Sequence, residues 1–178
     1  PSQLMEQFCF ERSILDTFAF HYQTGERIPE VLFQAFRKSQ ASGKASYFLG
    51  NARTSVLDLN WHMNDLSEVR NVEEFEENLL SPYTLIRLPN DWFPTSNTFE
   101  HVFNGGYAAP DYSYLWSQML DADALEYMKE NGLVTRTLGS RFRHLLEQGG
   151  SRPAIDLYTE FRGQKPRVEA LNKRIKGQ

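Results

Sequence analysis

The sequence has a single cysteine, Cys9, and no long run of apolar residues. One cysteine cannot form a disulfide within the chain, and a shortage of cysteine is typical of proteins in reducing compartments. No apolar stretch approaches the roughly 20 residues that a membrane-spanning helix requires. These absences predict a cytoplasmic protein with no membrane partner.

Clustered positive charge is also lacking. The chain has 19 lysines and arginines against 23 acidic residues, which gives a formal net charge of -4. Proteins that bind nucleic acid normally present a basic patch to the phosphates. No nucleic-acid partner is therefore predicted.

Alternation of apolar and polar residues, the pattern of a half-buried strand, is absent, and apolar residues recur at helical spacing instead. The predicted fold class is all-α, in one domain over residues 1–178, because this length suits one domain or a large part of one. An irregular, proline-rich loop is predicted at 81–98 and a second loop at 99–114. Helices are predicted over 1–22, with Pro1-Ser2 in the first turn, and over 28–36, 45–66, 72–80, 111–131, 135–147, 153–162 and 166–176.

The second loop is rich in side chains that can take part in chemistry. Two adjacent glycines allow positive φ and predict a hinge. An imidazole and neutral phenols are donors that can stabilise a developing oxyanion. The residues concerned are His101, Gly105, Gly106, Tyr107, Tyr112 and Tyr114.

This loop resembles the substrate-binding loop of the thimet oligopeptidase family of zinc metallopeptidases, which includes oligopeptidase A and the peptidyl-dipeptidases. Further segments are similar to the family in order and spacing along the whole chain. They correspond to the C-terminal quarter or so of such an enzyme. These segments are Pro1-Ser2-Gln3 with Glu6, His21-Tyr22-x-Thr24-Gly25-Glu26, Leu57-Asp58 with His62, Leu115-Trp116, Asp121-Ala122-Asp123-Ala124, Arg141-Phe142-Arg143, Gly149-Gly150-Ser151 and Phe161-Arg162-Gly163-x-x-Pro166.

The resemblance implies roles for the loop residues. His101 would contact the substrate backbone beside the scissile bond, and Tyr107 and Tyr114 would face the tetrahedral oxyanion. These three are the predicted catalytic residues, with a surface histidine and aromatic packing as the structural alternatives. The predicted substrate-binding residues are Gly105, Gly106, Tyr112 and Asp111.

Pro110 and Asp111 depart from the family pattern, which has glycine and tyrosine at these positions. An aspartate at a helix start is a good N-cap, so the favoured interpretation is a helix that begins at Asp111. The alternative is an altered substrate contact, in which the carboxylate repels an oxyanion or selects a cationic peptide end. Pro110 would also stiffen the loop.

Zinc hydrolases hold the metal with three protein ligands. In the family, two histidines come from an H-E-x-x-H helix, and a glutamate just ahead of the P-S-Q segment is the third ligand. None of the four histidines of this chain is followed by glutamate or by a histidine four positions later. The resemblance implies zinc in the intact enzyme, whereas no metal is expected for this chain alone.

Two sets of carboxylates require interpretation. Glu6 would follow the family's third ligand by two helical turns on the same face, which would allow it to support that ligand. A solvated helix glutamate is the alternative. Asp121 and Asp123 point in different directions on a helix, so a structural role in pairing with Arg141 or Arg143 is predicted.

The predicted function is the substrate-binding part of a zinc-dependent oligopeptidase that hydrolyses short peptides. The partner would be the N-terminal, zinc-binding part of the same enzyme, and the chain alone would be inactive. Whether the chain is itself an enzyme stays open. The alternatives are a non-catalytic peptide-binding or regulatory module and a plain helical interaction fragment.

Overall fold

The computed structural model describes residues 1–85 and 94–176. Regular structure in these residues is helical, and a single antiparallel bridge joins Phe20 to Arg27. The all-α prediction is confirmed. None of the described helices is long and apolar enough to cross a membrane. The α-helices are α1 (Ser2–Gln7), α2 (Arg12–Leu15), α3 (Glu30–Ala41), α4 (Lys44–Met63), α5 (Val72–Leu80), α6 (Glu100–Phe103), α7 (Ser113–Glu130), α8 (Arg136–Glu147), α9 (Ala154–Arg162) and α10 (Glu169–Ile175), and 3₁₀ turns cover Phe8–Phe10, Ser81–Tyr83 and Thr95–Asn97.

Local capping chemistry determines several helix ends. The Asn71 side chain accepts two backbone N–H groups of the first turn of α5, so this helix matches its predicted range. The Thr135 hydroxyl accepts the N–H of Leu138 and caps α8 in the same way. Gly163 ends α9 in the left-handed conformation, with φ 84°.

The predicted long first helix over 1–22 begins where expected, but its continuous length is wrong. After α1 the chain makes a 3₁₀ turn, and Glu11 is extended, with φ -104° and ψ 114°. The short α2 ends at Leu15, and the segment that follows turns back to form the Phe20–Arg27 bridge. Helical spacing of apolar residues continues through this break, so spacing alone could not reveal it.

The two predicted loops contain short helical turns. The loop predicted at 81–98 includes the 3₁₀ turns at its two ends, and its residues 86–93 lie outside the described part of the chain. The loop predicted at 99–114 contains α6, which carries His101. Helix α7 begins at Ser113, two residues later than predicted.

The chain divides into two compact units. Unit 1 comprises Pro1–Lys44 and Ser117–Gln178, and unit 2 comprises Ala45–Trp116. The boundaries therefore fall inside α4 and α7. All of the loop residues with a predicted functional role belong to unit 2.

An apolar cluster contributed by four helices forms the core of unit 1. The aromatic rings of Tyr127 and Phe161 meet edge to face, with centroids 5.4 Å apart. Burying each large apolar side chain stabilises the fold by roughly 1.5–3 kcal/mol. The buried members are Leu4, Ala124, Leu125, Tyr127, Met128, Leu138, Phe142, Tyr158 and Phe161.

Two buried carboxylates of α7 bind different partners in unit 1. Asp123 accepts a hydrogen bond from the Tyr158 hydroxyl at 2.7 Å and pairs with Arg162 at 3.2 Å. Asp121 pairs with Arg174. Burial raises the pKa of Asp121, and the guanidinium of Arg174 opposes that rise.

The arginines predicted to pair with these carboxylates bind elsewhere. Arg141 donates to the backbone oxygen of Phe161 at 2.6 Å. Arg143 pairs with Glu147 on its own helix at 2.7 Å. Both carboxylates do pair with arginines, as predicted, but the arginines are Arg162 on α9 and Arg174 on α10.

Leu138 and Leu146 offer a matched test of the core on one helix, since their exposed fractions are 4% and 42%. Leu138→Ala leaves a cavity and is expected to lower the free energy of unfolding by about 2–5 kcal/mol. Leu146→Ala is expected to cost less than about 1 kcal/mol. Urea unfolding followed by circular dichroism measures both, and equal losses would contradict the described core.

Candidate functional site

The three predicted catalytic side chains meet in unit 2. Nε2 of His101 lies 2.8 Å from the Tyr114 hydroxyl. The His101 and Tyr107 rings are stacked, with centroids 4.1 Å apart and 17° between their planes. The centroids of Tyr107 and Tyr114 are 6.0 Å apart. We call these three side chains the His–Tyr cluster.

The cluster combines an exposed phenol with a more enclosed hydrogen-bonded pair. Tyr107 is 40% exposed, whereas His101 and Tyr114 are partly buried. Burial raises the pKa of Tyr114 above its usual value, and the neighbouring Tyr107 and Asp111 raise it further. Tyr114 is therefore a neutral phenol at physiological pH and can act as a hydrogen-bond donor.

Two glycines shape the turn that brings Tyr107 over His101. A Cβ atom on Gly105 would lie only 2.6 Å from the carbonyl oxygen of His101. Gly106 has φ 79°, in the left-handed region that glycine adopts without strain. The glycines therefore permit a tight reversal after α6, and the hinge motion stays a prediction.

A buried carboxylate on α4 contacts the backbone between the two phenols. Asp58 has no exposed surface, and its oxygens accept the N–H groups of Ala109 at 2.8 Å and Asp111 at 2.9 Å. Nδ1 of His62 lies 2.9 Å from Oδ1 of the same carboxylate. Asp58 and His62 appear in the sequence analysis only as part of the family resemblance. A carboxylate and an imidazole one helical turn apart could have indicated a contact between the two side chains.

Asp111 faces α4. It is 5% exposed, and its Oδ2 accepts the hydroxyl groups of Thr54 at 3.0 Å and Ser55 at 3.2 Å. Because α7 begins at Ser113, Asp111 does not occupy the N-cap position, and the favoured capping interpretation is wrong. A substrate contact by Asp111 stays a prediction.

A second buried carboxylate, which the sequence did not reveal, organises the chain ahead of α6. Glu76 has no exposed surface and accepts the N–H groups of Thr95 at 2.7 Å and Ser96 at 2.8 Å. It also accepts the Ser96 hydroxyl at 2.6 Å. The indole N–H of Trp61 donates to that hydroxyl oxygen at 2.7 Å.

The remaining predicted site residues lie outside the His–Tyr cluster. Tyr112 is 51% exposed at the start of α7. Glu6 is exposed on α1 in unit 1, so support of a metal ligand by Glu6 stays a prediction. In residues 1–85 and 94–176, no three His, Cys, Asp or Glu side chains form a group that could hold a metal ion. The described residues therefore do not fit a zinc site.

An all-helical fold in which a paired-glycine turn brings an imidazole and two phenols together agrees with the sequence resemblance to peptidases. The model of Peptidase family M3 matches residues 1–177. The chain belongs to this family, which confirms the resemblance to thimet oligopeptidase and oligopeptidase A.

Individual relatives extend the comparison. Oligopeptidase A of Haemophilus influenzae is 32% identical over 173 residues, which cover 96% of this chain and 25% of the relative. The probable cytosolic oligopeptidase A of Arabidopsis thaliana and the dipeptidyl carboxypeptidase of Salmonella typhimurium are each 34% identical, over 178 and 175 residues, with the same coverage. The chain thus spans about a quarter of the length of these relatives.

The close approach at Gly105 can be tested against another glycine of unit 2. Gly105→Ala is expected to destabilise the protein by about 1–3 kcal/mol, because the added methyl overlaps the His101 carbonyl. Gly50 lies within α4, where a Cβ would meet nothing within 4 Å. Gly50→Ala is expected to raise stability by up to about 1 kcal/mol. Urea denaturation measures the two changes, and a Gly105→Ala variant as stable as wild type would contradict the described turn.

The raised pKa of Tyr114 predicts a pH dependence of stability. Because the folded state favours the protonated phenol, this contribution is complete below the unfolded-state pKa of about 10 and is lost as the pH rises through the higher folded-state pKa. Tyr114→Phe should therefore show a shallower fall in the free energy of unfolding above pH 10 than wild type. Parallel pH profiles of the two proteins would refute the assignment.

Proposed function

We propose that this chain is the C-terminal, substrate-binding portion of a zinc-dependent oligopeptidase that hydrolyses short peptides. The observation that carries the proposal is the His–Tyr cluster, in which one imidazole and two phenols meet beside a paired-glycine turn. Membership of Peptidase family M3 supports the reaction class. The names of the relatives, oligopeptidase and dipeptidyl carboxypeptidase, support peptides as the substrate class.

In this proposal the cluster acts on the peptide carbonyl. His101 binds the substrate backbone next to the scissile bond, while Tyr107 and Tyr114 donate hydrogen bonds to the oxygen that gains negative charge. Donors held in place before reaction stabilise such charge strongly, and removing one typically lowers kcat by about 100- to 1000-fold. Gly105, Gly106 and Tyr112 shape the adjoining surface, and Asp111 borders Tyr114.

Zinc and the general base would come from another part of the same protein, outside this chain. When bound, zinc would supply Lewis-acid activation of the attacking water. The chain alone would then bind peptides without cutting them. An H-E-x-x-H motif upstream of Pro1 would support this arrangement, and a location in the cytoplasm stays a prediction.

The second candidate is a non-catalytic peptide-binding module that uses the same surface. The observation in its favour is that the described residues of this chain contain the donors but no group able to hold a metal ion. The two candidates share peptide binding by the chain. They differ in whether a longer protein containing the chain hydrolyses peptides.

Calorimetric titration of the chain with short unstructured peptides tests the shared step. Wild type should bind saturably, and Tyr107→Phe should weaken binding about 3- to 10-fold through loss of one hydrogen bond. Tyr83→Phe is the matched control, because Tyr83 lies in the same unit and is 39% exposed against 40% for Tyr107. His101→Ala should weaken binding at least as much as Tyr107→Phe.

The outcomes separate the candidates. No saturable binding by wild type, or equal affinity after His101→Ala, would refute peptide binding at this surface. In a longer protein that carries the chain, hydrolysis whose kcat Tyr114→Phe lowers by about 100-fold or more supports the peptidase. Binding without any hydrolysis in that protein supports the module.

A further inference from the structure

We propose that Asp58 is the positioning residue of the His–Tyr cluster: its buried carboxylate holds the backbone between Tyr107 and Tyr114 so that both phenols face His101. The expected loss of peptide affinity without Asp58 rests on the proposed function, whereas the expected change in loop geometry does not. No role in the chemistry itself is assigned to Asp58, because it contacts the loop backbone and His62.

Asp58 binds the loop backbone at two neighbouring positions. Ala109 and Asp111, whose N–H groups bind Asp58, stand on either side of Pro110. Proline has no N–H group, so the carboxylate takes both donors that this stretch can offer. The anchored stretch lies midway between Tyr107 and Tyr114, and a shift there would move both phenols relative to His101.

The backbone of Ala109 adopts a conformation that needs support from a neighbouring group. Ala109 has φ 70°, a left-handed conformation that is unfavourable for a residue with a side chain. The residue before a proline is also biased towards extended conformations. The hydrogen bond from Ala109 to Asp58 offsets this cost and keeps the loop in a conformation that its sequence alone disfavours.

Both oxygens of the Asp58 carboxylate are used as acceptors, Oδ1 by Ala109 and Oδ2 by Asp111. Asp58 has no exposed surface, and burying a charge is costly unless several donors compensate it. Two backbone N–H groups provide such donors, and Nδ1 of His62 lies 2.9 Å from Oδ1 and 2.8 Å from the backbone oxygen of Asp58. An asparagine has one acceptor oxygen, and its NH₂ group would face one of the same donors.

Glu76 provides a matched control for Asp58. It is equally buried in the same unit and also accepts two backbone N–H groups, but it binds Thr95 and Ser96 instead of the loop. Asp58→Asn and Glu76→Gln therefore make the same chemical change at two buried carboxylates. A purely structural cost should appear in both variants, and a change at the cluster should appear in Asp58→Asn alone.

The experiment compares the chain and both variants by amide hydrogen exchange, NMR and peptide titration. In wild type, the Ala109 and Asp111 amides should be protected from exchange. In Asp58→Asn they should exchange at least 10-fold faster, the ring-current shifts of the stacked His101 and Tyr107 should shrink, and affinity for a short unstructured peptide should fall about 10-fold. In Glu76→Gln, these three quantities should stay close to wild type.

Several results would overturn the proposal. Unprotected Ala109 and Asp111 amides in wild type would do so even if Asp58→Asn did not fold. So would a folded Asp58→Asn variant with unchanged amide exchange and ring-current shifts, or equal losses of affinity in the two variants. If wild type binds no peptide, the proposed function fails, and the exchange and ring-current measurements still decide the role of Asp58.

Discussion

The non-helical backbone of unit 2 depends on the pairing of buried carboxylate oxygens with backbone N–H groups. Asp58 binds the loop on either side of Pro110, and Glu76 binds the turn that precedes α6. A backbone group in a non-repetitive segment lacks the partners that a helix supplies, so an acceptor from elsewhere must replace them. In unit 2 these acceptors are the carboxylates of Asp58 and Glu76, and each offers two oxygens to the backbone.

The helices of the fold could be predicted from local features of the sequence. Spacing of apolar residues and capping residues such as Asn71 and Thr135 act within a few residues, so α5 and α8 agree with their predicted ranges. The break after α1 could not be predicted from these features, because the Phe20–Arg27 bridge depends on backbone conformation that apolar spacing does not encode. The start of α7 was misplaced for a related reason, since the Asp111 side chain binds α4 instead of capping its own helix.

The proximity of His101, Tyr107 and Tyr114 could be expected from the sequence, because the three residues are close along the chain. Their oxyanion-binding role stays a prediction, and the contacts that support their loop could not be predicted. The contacts of Asp58 with Ala109 and Asp111 join residues 51 and 53 positions apart. No periodicity links such distant positions. The arginine partners of Asp121 and Asp123 were misassigned for the same reason.

The division into two units also has an optical consequence. The two tryptophans among the described residues, Trp61 and Trp116, belong to unit 2, and Trp92 lies between them in the sequence, whereas the residues of unit 1 include tyrosine but no tryptophan. Indole emission excited at long wavelength therefore reports on unit 2 alone. Far-ultraviolet dichroism, by contrast, reports on the helices of both units. A melting curve that differs between the two signals would measure directly whether the unit with the His–Tyr cluster unfolds independently.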